Sequence, residues 1–198
     1  MPPARTRLAY TLHVQLAEIE PAIWRRIVVP GSLTLRQLHH VLQVTMGWTH
    51  SHLHQYLVGD GDKTTFYGEP SPEDDYFHKD DQLIHLAQIA PKEGVTFTYE
   101  YDFGDCWKHK VLVERIELTP KDEPPYPWCY EGSRACPPED CGGVGGFAHF
   151  LEAWQNRSDP EHRQMREWVG KQYHPETFSV PQVNSALALF ISYEHATY

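Results

Sequence analysis

An α+β fold is predicted by three observations. Apolar residues alternate with period two over residues 8–17 and a run rich in β-branched residues follows at 22–29, a helical period comes directly after them, and the last quarter of the chain is helical in pattern. Leu8, Tyr10, Leu12, Val14 and Leu16 share one face of the first segment, as in a half-buried strand, and Glu20-Pro21 ends it. AIWRRIVV at 22–29 resumes as a second strand and stops at Pro30-Gly31, so a hairpin is the economical reading. Thr34 and Gln37 then have capping-box spacing, and Leu35, Leu38, Val41, Leu42 and Met46 recur at helical spacing up to Gly47.

HLHQYLV at 52–58 reads as a third strand, with His52, His54 and Tyr56 on one face. Residues 60–81 carry eight acidic residues against Lys63 and Lys79, and apart from a short strand at Thr65–Tyr67 they read as a solvated surface loop. VTFTYEY at 95–101 places Val95, Phe97, Tyr99 and Tyr101 together, and WKHKVLVERIEL at 107–118 forms a long partner strand. DFGDC joins the two as a tight turn in which Gly104 is free to take positive φ. Helices are predicted at 147–156, after Asp159-Pro160 up to Gly170, and after Ser179 and Pro181. Trp154 and Trp168, with Phe147, Phe150, Leu151 and Val169, read as core or interface anchors of these helices. The expected organisation is one domain over 1–198: a sheet with one helix at 8–118, a Cys/Pro/Gly loop at 119–146 and a helical part at 147–198.

The length of 198 residues, with 40% hydrophobic and 13% aromatic content, suits a soluble domain with a substantial core. MPPARTRLAYTLHVQL has no apolar signal region, and no apolar run reaches membrane-spanning length, so a cytoplasmic location is expected. A formal charge of -10 argues against a surface built to neutralise phosphates, although Arg5, Arg7, Arg25, Arg26 and Arg36 form a local basic group. Thirteen histidines is a high count, and several are close in sequence: His39/His40, His50/His52/His54 and His78/His85.

The densest chemistry lies in YPWCYEGSRACPPEDCGGVGG. Its prolines and glycines exclude regular helix and central strand, so its order needs another source. Zinc held by Cys129, Cys136 and Cys141, with His109 preferred over His149 as fourth ligand, would provide one. Reduced cysteines packed as small hydrophobes are the alternative, and a Cys136–Cys141 disulfide is a third, disfavoured without a secretory context. Gly142–Gly146 lacks the Lys-Ser/Thr of a P-loop and reads as a flexible turn. A thiol nucleophile at Cys106 with His109 as base is disfavoured because a three-residue offset points the two to opposite faces of a strand.

A second constellation is polar. Asp102 and Asp105 on the turn and His109 on the following strand could converge on an ion, or Asp102 and Asp105 could cap the turn while His109 is an interior histidine. His52 and His54, as i and i+2, would project together, and with Asp102, Asp105 and Trp107 they define a ligand-binding cleft if the two hairpins are neighbours.

Three blocks, IWRRIVVPGSLTLRQLHHVLQVTMGWTHSHLHQY, YDFGDCWKH and CYEGSRACPPEDCGG, resemble the signature blocks of the root-inducing-plasmid open-reading-frame-three-like family, often labelled insertion-element passenger proteins. The resemblance covers residues 8 to 190. It implies an α+β roll whose β-β-α opening is similar to β-grasp and S4-like arrangements. It also implies an intracellular accessory or interaction protein associated with mobile elements, with an unidentified protein partner. No serine-recombinase motif is present, so that activity is not implied. Cys106 stands where the family commonly has other small or polar residues. A metal-dependent hydrolase using the His/Asp cleft and a nucleic-acid-binding accessory domain are the competing readings.

Overall fold

The computed structural model describes residues 6–70, 79–120 and 127–196, with side chains as far as Leu189. The chain is α+β, with eight strands in one mixed sheet and five α-helices among the described residues. The opening hairpin forms as expected: β1 (Thr6–Leu16) pairs antiparallel with β2 (Trp24–Pro30). Tyr10, Leu12, Val14 and Leu16 are buried, whereas Leu8 on the same face is 42% exposed near the strand's start. Thr34 then caps α1 (Leu35–Met46): its hydroxyl accepts from the Gln37 backbone N–H, and the Gln37 side chain accepts from the Thr34 N–H. Gly47 closes the helix in the left-handed region. Because this box satisfies two otherwise open donors, Thr34→Ala should cost roughly 1 kcal/mol in urea unfolding, with Thr34→Ser close to wild type.

β3 (His54–Val58) starts two residues later than its alternation suggests. It pairs with β4 (Thr65–Gly68) and with β6 (Thr96–Tyr101), and β5 (Lys79–Asp80) lies parallel beside β4. The expected strand at Thr65–Tyr67 is present as β4. Asp81, however, does not belong to a solvated acidic loop, for it is completely buried. Residues 71–78, and with them His78, lie outside the described residues. A short helix α2 (Leu86–Ile89) leads into β6. Its long partner β7 (Trp107–Pro120) pairs with β6 over residues 107–112 on one edge and with β1 over residues 109–120 on the other, which gives the order β5-β4-β3-β6-β7-β1-β2-β8. In the β6–β7 turn the positive φ falls on Asp102 and Cys106, not on Gly104.

The cysteine segment contains an edge strand, which its prolines and glycines had not excluded. β8 (Trp128–Ser133) pairs with β2 at the sheet edge, where an irregular ladder is tolerated. Gly132 belongs there because a Cβ would stand 2.5 Å from the Phe178 ring and 2.9 Å from Cδ of Arg25. Nor is GGVGG a flexible turn: α3 (Gly143–Gln155) begins inside it. A Cβ on Gly146 would lie 1.9 Å from the Cys141 carbonyl, so the absent side chain lets the helix close against that carbonyl. α4 (His162–Val169) starts after Glu161, slightly beyond the expected Asp159 cap, and α5 (Val180–Ala196) follows Ser179. Trp154 is buried, whereas Trp168 is half exposed. Leu38, Val41 and Leu42 of α1 are buried in one core with the inward residues of β1, β2, β3, β6 and β7. No described helix is long and apolar enough to cross a membrane.

Candidate metal centre

The structure does not assemble the expected cysteine set. Among the described residues, neither cluster of at least three His, Cys, Asp or Glu donors within 4.8 Å of one another contains a cysteine. Hydrogen bonds supply the order that a staple was expected to give. The Asn184 side chain of α5 accepts from the Cys129 N–H and donates to the Cys129 carbonyl, both at 2.8 Å. Trp48 Nε1 donates to the Pro137 carbonyl, the Tyr173 hydroxyl to the Cys136 carbonyl, and the Ala135 N–H to the Pro175 carbonyl. All these partners are remote in sequence. Burial pushes the thiols up, to about 11 for Cys129 and about 12 for Cys136 and Cys141, so they are protonated at neutral pH.

His109 is an interior histidine. Its Nδ1 meets the Tyr99 carbonyl at 3.1 Å, its ring stands edge-on to Trp48, and burial lowers it to about 4. Trp107 is equally a core residue, 1% exposed. Cys106 is exposed and its Sγ contacts the Phe103 carbonyl.

His52 and His54 are separated rather than paired. Because β3 begins only at His54, strand alternation does not reach His52. His54 turns inward to Asp81 at 2.9 Å, while His52 Nε2 faces Asp102, Glu139 and Asp140. Asp102 Oδ1 accepts from the N–H groups of Gly104 and Asp105, the turn-capping alternative. Asp105 Oδ2 accepts from the Gly142 N–H and ties this turn to the start of α3. The basic group is also dispersed: Arg25 is interior, Arg26 pairs with Glu114 and Glu131, Arg36 pairs with Asp81, and Arg5 lies outside the described residues.

What the fold does bring together is His39, His40 and His50, each offering a ring nitrogen within 4.8 Å of the others. His39 and His40 are successive residues of α1, so one faces inward and its neighbour lies on the flank. The loop after Gly47 folds back to add His50, whose φ of 58° is in the left-handed region. Gln43 holds it there: its Oε1 accepts from the His50 N–H at 2.8 Å, and its Nε2 donates to the Tyr99 hydroxyl at 3.0 Å. That hydroxyl lies 2.7 Å from His39 Nδ1, while His39 Nε2 meets His50 Nδ1. With Nδ1–H donating to Tyr99, the Nε2 lone pair of His39 faces the other two imidazoles, as in an outer-shell arrangement that orients a metal ligand.

A support layer lies beneath. The His54 ring stacks on His39 with centroids 3.6 Å apart, and Asp81, which fixes His54, is gripped by Arg36 Nε at 2.9 and 3.0 Å. Burial lowers all three cluster imidazoles, reinforced by neighbouring histidines and Arg36; His40 falls to about 4. They are therefore neutral at pH 7, the state in which imidazole binds metals. The closeness of His39 to His40, and of His50 to His52 and His54, is visible in the sequence, but nothing there places Gln43, Tyr99 or Asp81 beside the cluster.

Two relatives frame these observations. The uncharacterized protein y4hQ of Sinorhizobium fredii is 35% identical over 178 residues, 89% of each chain. The crystal structure of MM3350, a protein of unknown function from Methanosarcina mazei Go1, superposes with a TM-score of 0.79 at 31% identity, covering 88% of this chain and 97% of that one. The model of the plasmid pRiA4b ORF-3-like protein family matches residues 8–182, a span holding both halves of the sheet, the histidine cluster and the cysteine segment, and the chain belongs to that family.

Proposed function

We propose that this is a divalent-metal-binding protein whose principal centre is His39, His40 and His50, with zinc as the ion. The convergence of three neutral imidazoles carries this reading. Imidazole nitrogen suits zinc and its neighbours in the first transition row, and three such ligands leave a tetrahedral ion one position for water or another donor. Because none of the three is a carboxylate, the ion keeps its full charge and would acidify a bound water to about pH 7. The setting we assign is that of a cytoplasmic accessory protein of mobile elements, a reading supported by four free cysteines and by the family. We read the β-β-α opening as a roll of β-grasp or S4-like type, with α3 to α5 as a C-terminal helical cluster of one domain. Hydrolytic chemistry at the open position is the second reading, favoured by His50, which is solvent-exposed while His39 is fully buried.

Elemental analysis tests the assignment. Protein purified without a metal-affinity tag, loaded with Zn2+ and dialysed, should lose one equivalent of zinc in His39→Ala and in His50→Ala relative to wild type. Cys129→Ser and Cys136→Ser should keep the wild-type content. Zinc retained by both histidine variants, or lost from the cysteine variants alone, overturns the three-histidine centre.

A further inference from the structure

On the other side of the 48–53 loop lies a donor set that the three-histidine centre does not use. His52 Nε2 stands 3.2 Å from Asp140 Oδ1, 3.7 Å from Asp102 Oδ2 and 3.9 Å from Glu139 Oε2. The nitrogen of His52 and the oxygens of Asp102 and Asp140 also lie within 4.8 Å of one another. The residues come from three separate segments: the loop before β3, the β6–β7 turn, and the loop before α3.

Two atoms of this set are unsatisfied. His52 Nε2 and Glu139 Oε2 are both shielded from solvent and have no hydrogen-bond partner among the described residues. The imbalance within Glu139 is informative. Its Oε1 accepts from the Thr49 N–H at 2.8 Å, the Thr49 hydroxyl at 3.0 Å and the Tyr101 hydroxyl at 3.1 Å, whereas Oε2 is held beside the imidazole with nothing donated to it. A buried carboxylate oxygen without a donor costs desolvation energy that a bound cation offsets. No arginine or lysine forms an ion pair with Asp102, Glu139 or Asp140 in the described structure. The Asp102 side chain is only 9% exposed, and its other oxygen is committed to the turn, so its position is fixed before any ion arrives.

We infer that His52, Asp102, Glu139 and Asp140 form a second divalent-cation site, separate in its ligands from the three-histidine centre. One imidazole among three carboxylates is a harder donor set than three imidazoles, and it fits Mn2+ better than zinc. The two sites share the 48–53 loop, with His50 serving one and His52 the other. Tyr101 lies between them, its ring centroid 6.3 Å from that of His39 and 5.8 Å from that of His52. An ion at the second site would also fix the loop that presents His50, through the Glu139 bonds to Thr49.

Mn2+ is the probe, followed by loss of the free-ion electron paramagnetic resonance signal on titration of the full chain. Wild type is expected to bind one Mn2+, and His52→Gln and Asp140→Asn to weaken that binding at least about tenfold, as loss of a donor does. Asp140 is 73% exposed, so its substitution leaves the fold intact, which circular dichroism checks. His50→Ala should leave Mn2+ binding unchanged. The inference is overturned by wild type that takes up no Mn2+. Affinity unchanged in both His52→Gln and Asp140→Asn, or binding lost in His50→Ala, overturns it equally. None of these results alters the zinc test of the three-histidine centre, so the two assignments fail separately.

Discussion

Arg25→Met is expected to destabilise the protein by roughly 3–5 kcal/mol, a large share of the total stability of a domain this size. Arg25 is 1% exposed, and its guanidinium is spent entirely on the backbone. Nε donates to the Thr45 carbonyl in the last turn of α1, Nη1 to the carbonyls of Trp24 and Ser133, and Nη2 to that of Arg134, all between 2.7 and 2.9 Å. The group lies 3.9 Å from the centroid of the Phe178 ring. It thus joins β2, the end of α1, the exit of β8 and the approach to α5 at one point. Burial lowers its pKa, yet an arginine keeps its charge under such pressure.

Many buried ion pairs can be exchanged for apolar residues at little cost, because both partners are replaced together. Here the acceptors are main-chain carbonyls and cannot be removed, so Met leaves them desolvated and unpaired. Lys offers three donors from one atom in place of a planar fork, and Arg25→Lys should recover only part of the loss. Urea unfolding midpoints check this. An unfolding free energy for Arg25→Met within about 0.5 kcal/mol of wild type, the spread of ordinary surface changes, would contradict the joint.

The contrast between Arg25 and its neighbours shows what the sequence could reveal. The two opening strands and α1 are legible because period two, period 3.6 and the Thr34/Gln37 box are local signals, each decided within a few residues. Arg25 sits inside one of those strands and reads as one more surface arginine, since only the carbonyls of Ser133 and Arg134, more than a hundred residues away, make it interior. The cysteine segment misleads for the same reason. Its order comes from Asn184, Trp48 and Tyr173, which carry no mark in the sequence of what they will hold. The site is intermediate in this respect. The histidines that form it stand out by their count and pairing, but the i, i+2 rule joins His52 to His54 only if the strand covers both. The chain is still a loop at His52, so His50 and His52 serve different clusters, and His54 becomes support.

Asp81→Ala should bring fold and site down together. The carboxylate is wholly buried and accepts from Arg36 and from His54, and removing it strands a guanidinium whose side chain is 18% exposed. Glu69, 3.5 Å from Arg36, offers partial compensation, so the expected loss is roughly 3 kcal/mol, the lower end for a broken buried pair. The pH dependence has a definite sign. Burial raises the Asp81 pKa, but hydrogen bonds from His54 and Arg36 outweigh it and set the folded value below the ordinary 3.8. A carboxyl depressed on folding stabilises the native state above its unfolded pKa, and that stabilisation disappears as pH falls through the folded value. Wild type should therefore lose more stability than Asp81→Asn between pH 5 and pH 3, values of roughly this order following from an unfolded carboxyl near 4. Parallel pH profiles of the urea midpoint in the two proteins would refute this. Asp81→Asn also weakens the anchor of the His54 ring, which stacks 3.6 Å from His39, because an amide oxygen is a poorer acceptor than a carboxylate. Loss of such an outer-shell support lowers metal affinity by about 10- to 100-fold, so Asp81→Asn should retain its fold at pH 7 while binding zinc more weakly. Unchanged zinc affinity in a folded Asp81→Asn would show that His39 is positioned by Tyr99 and Gln43 alone.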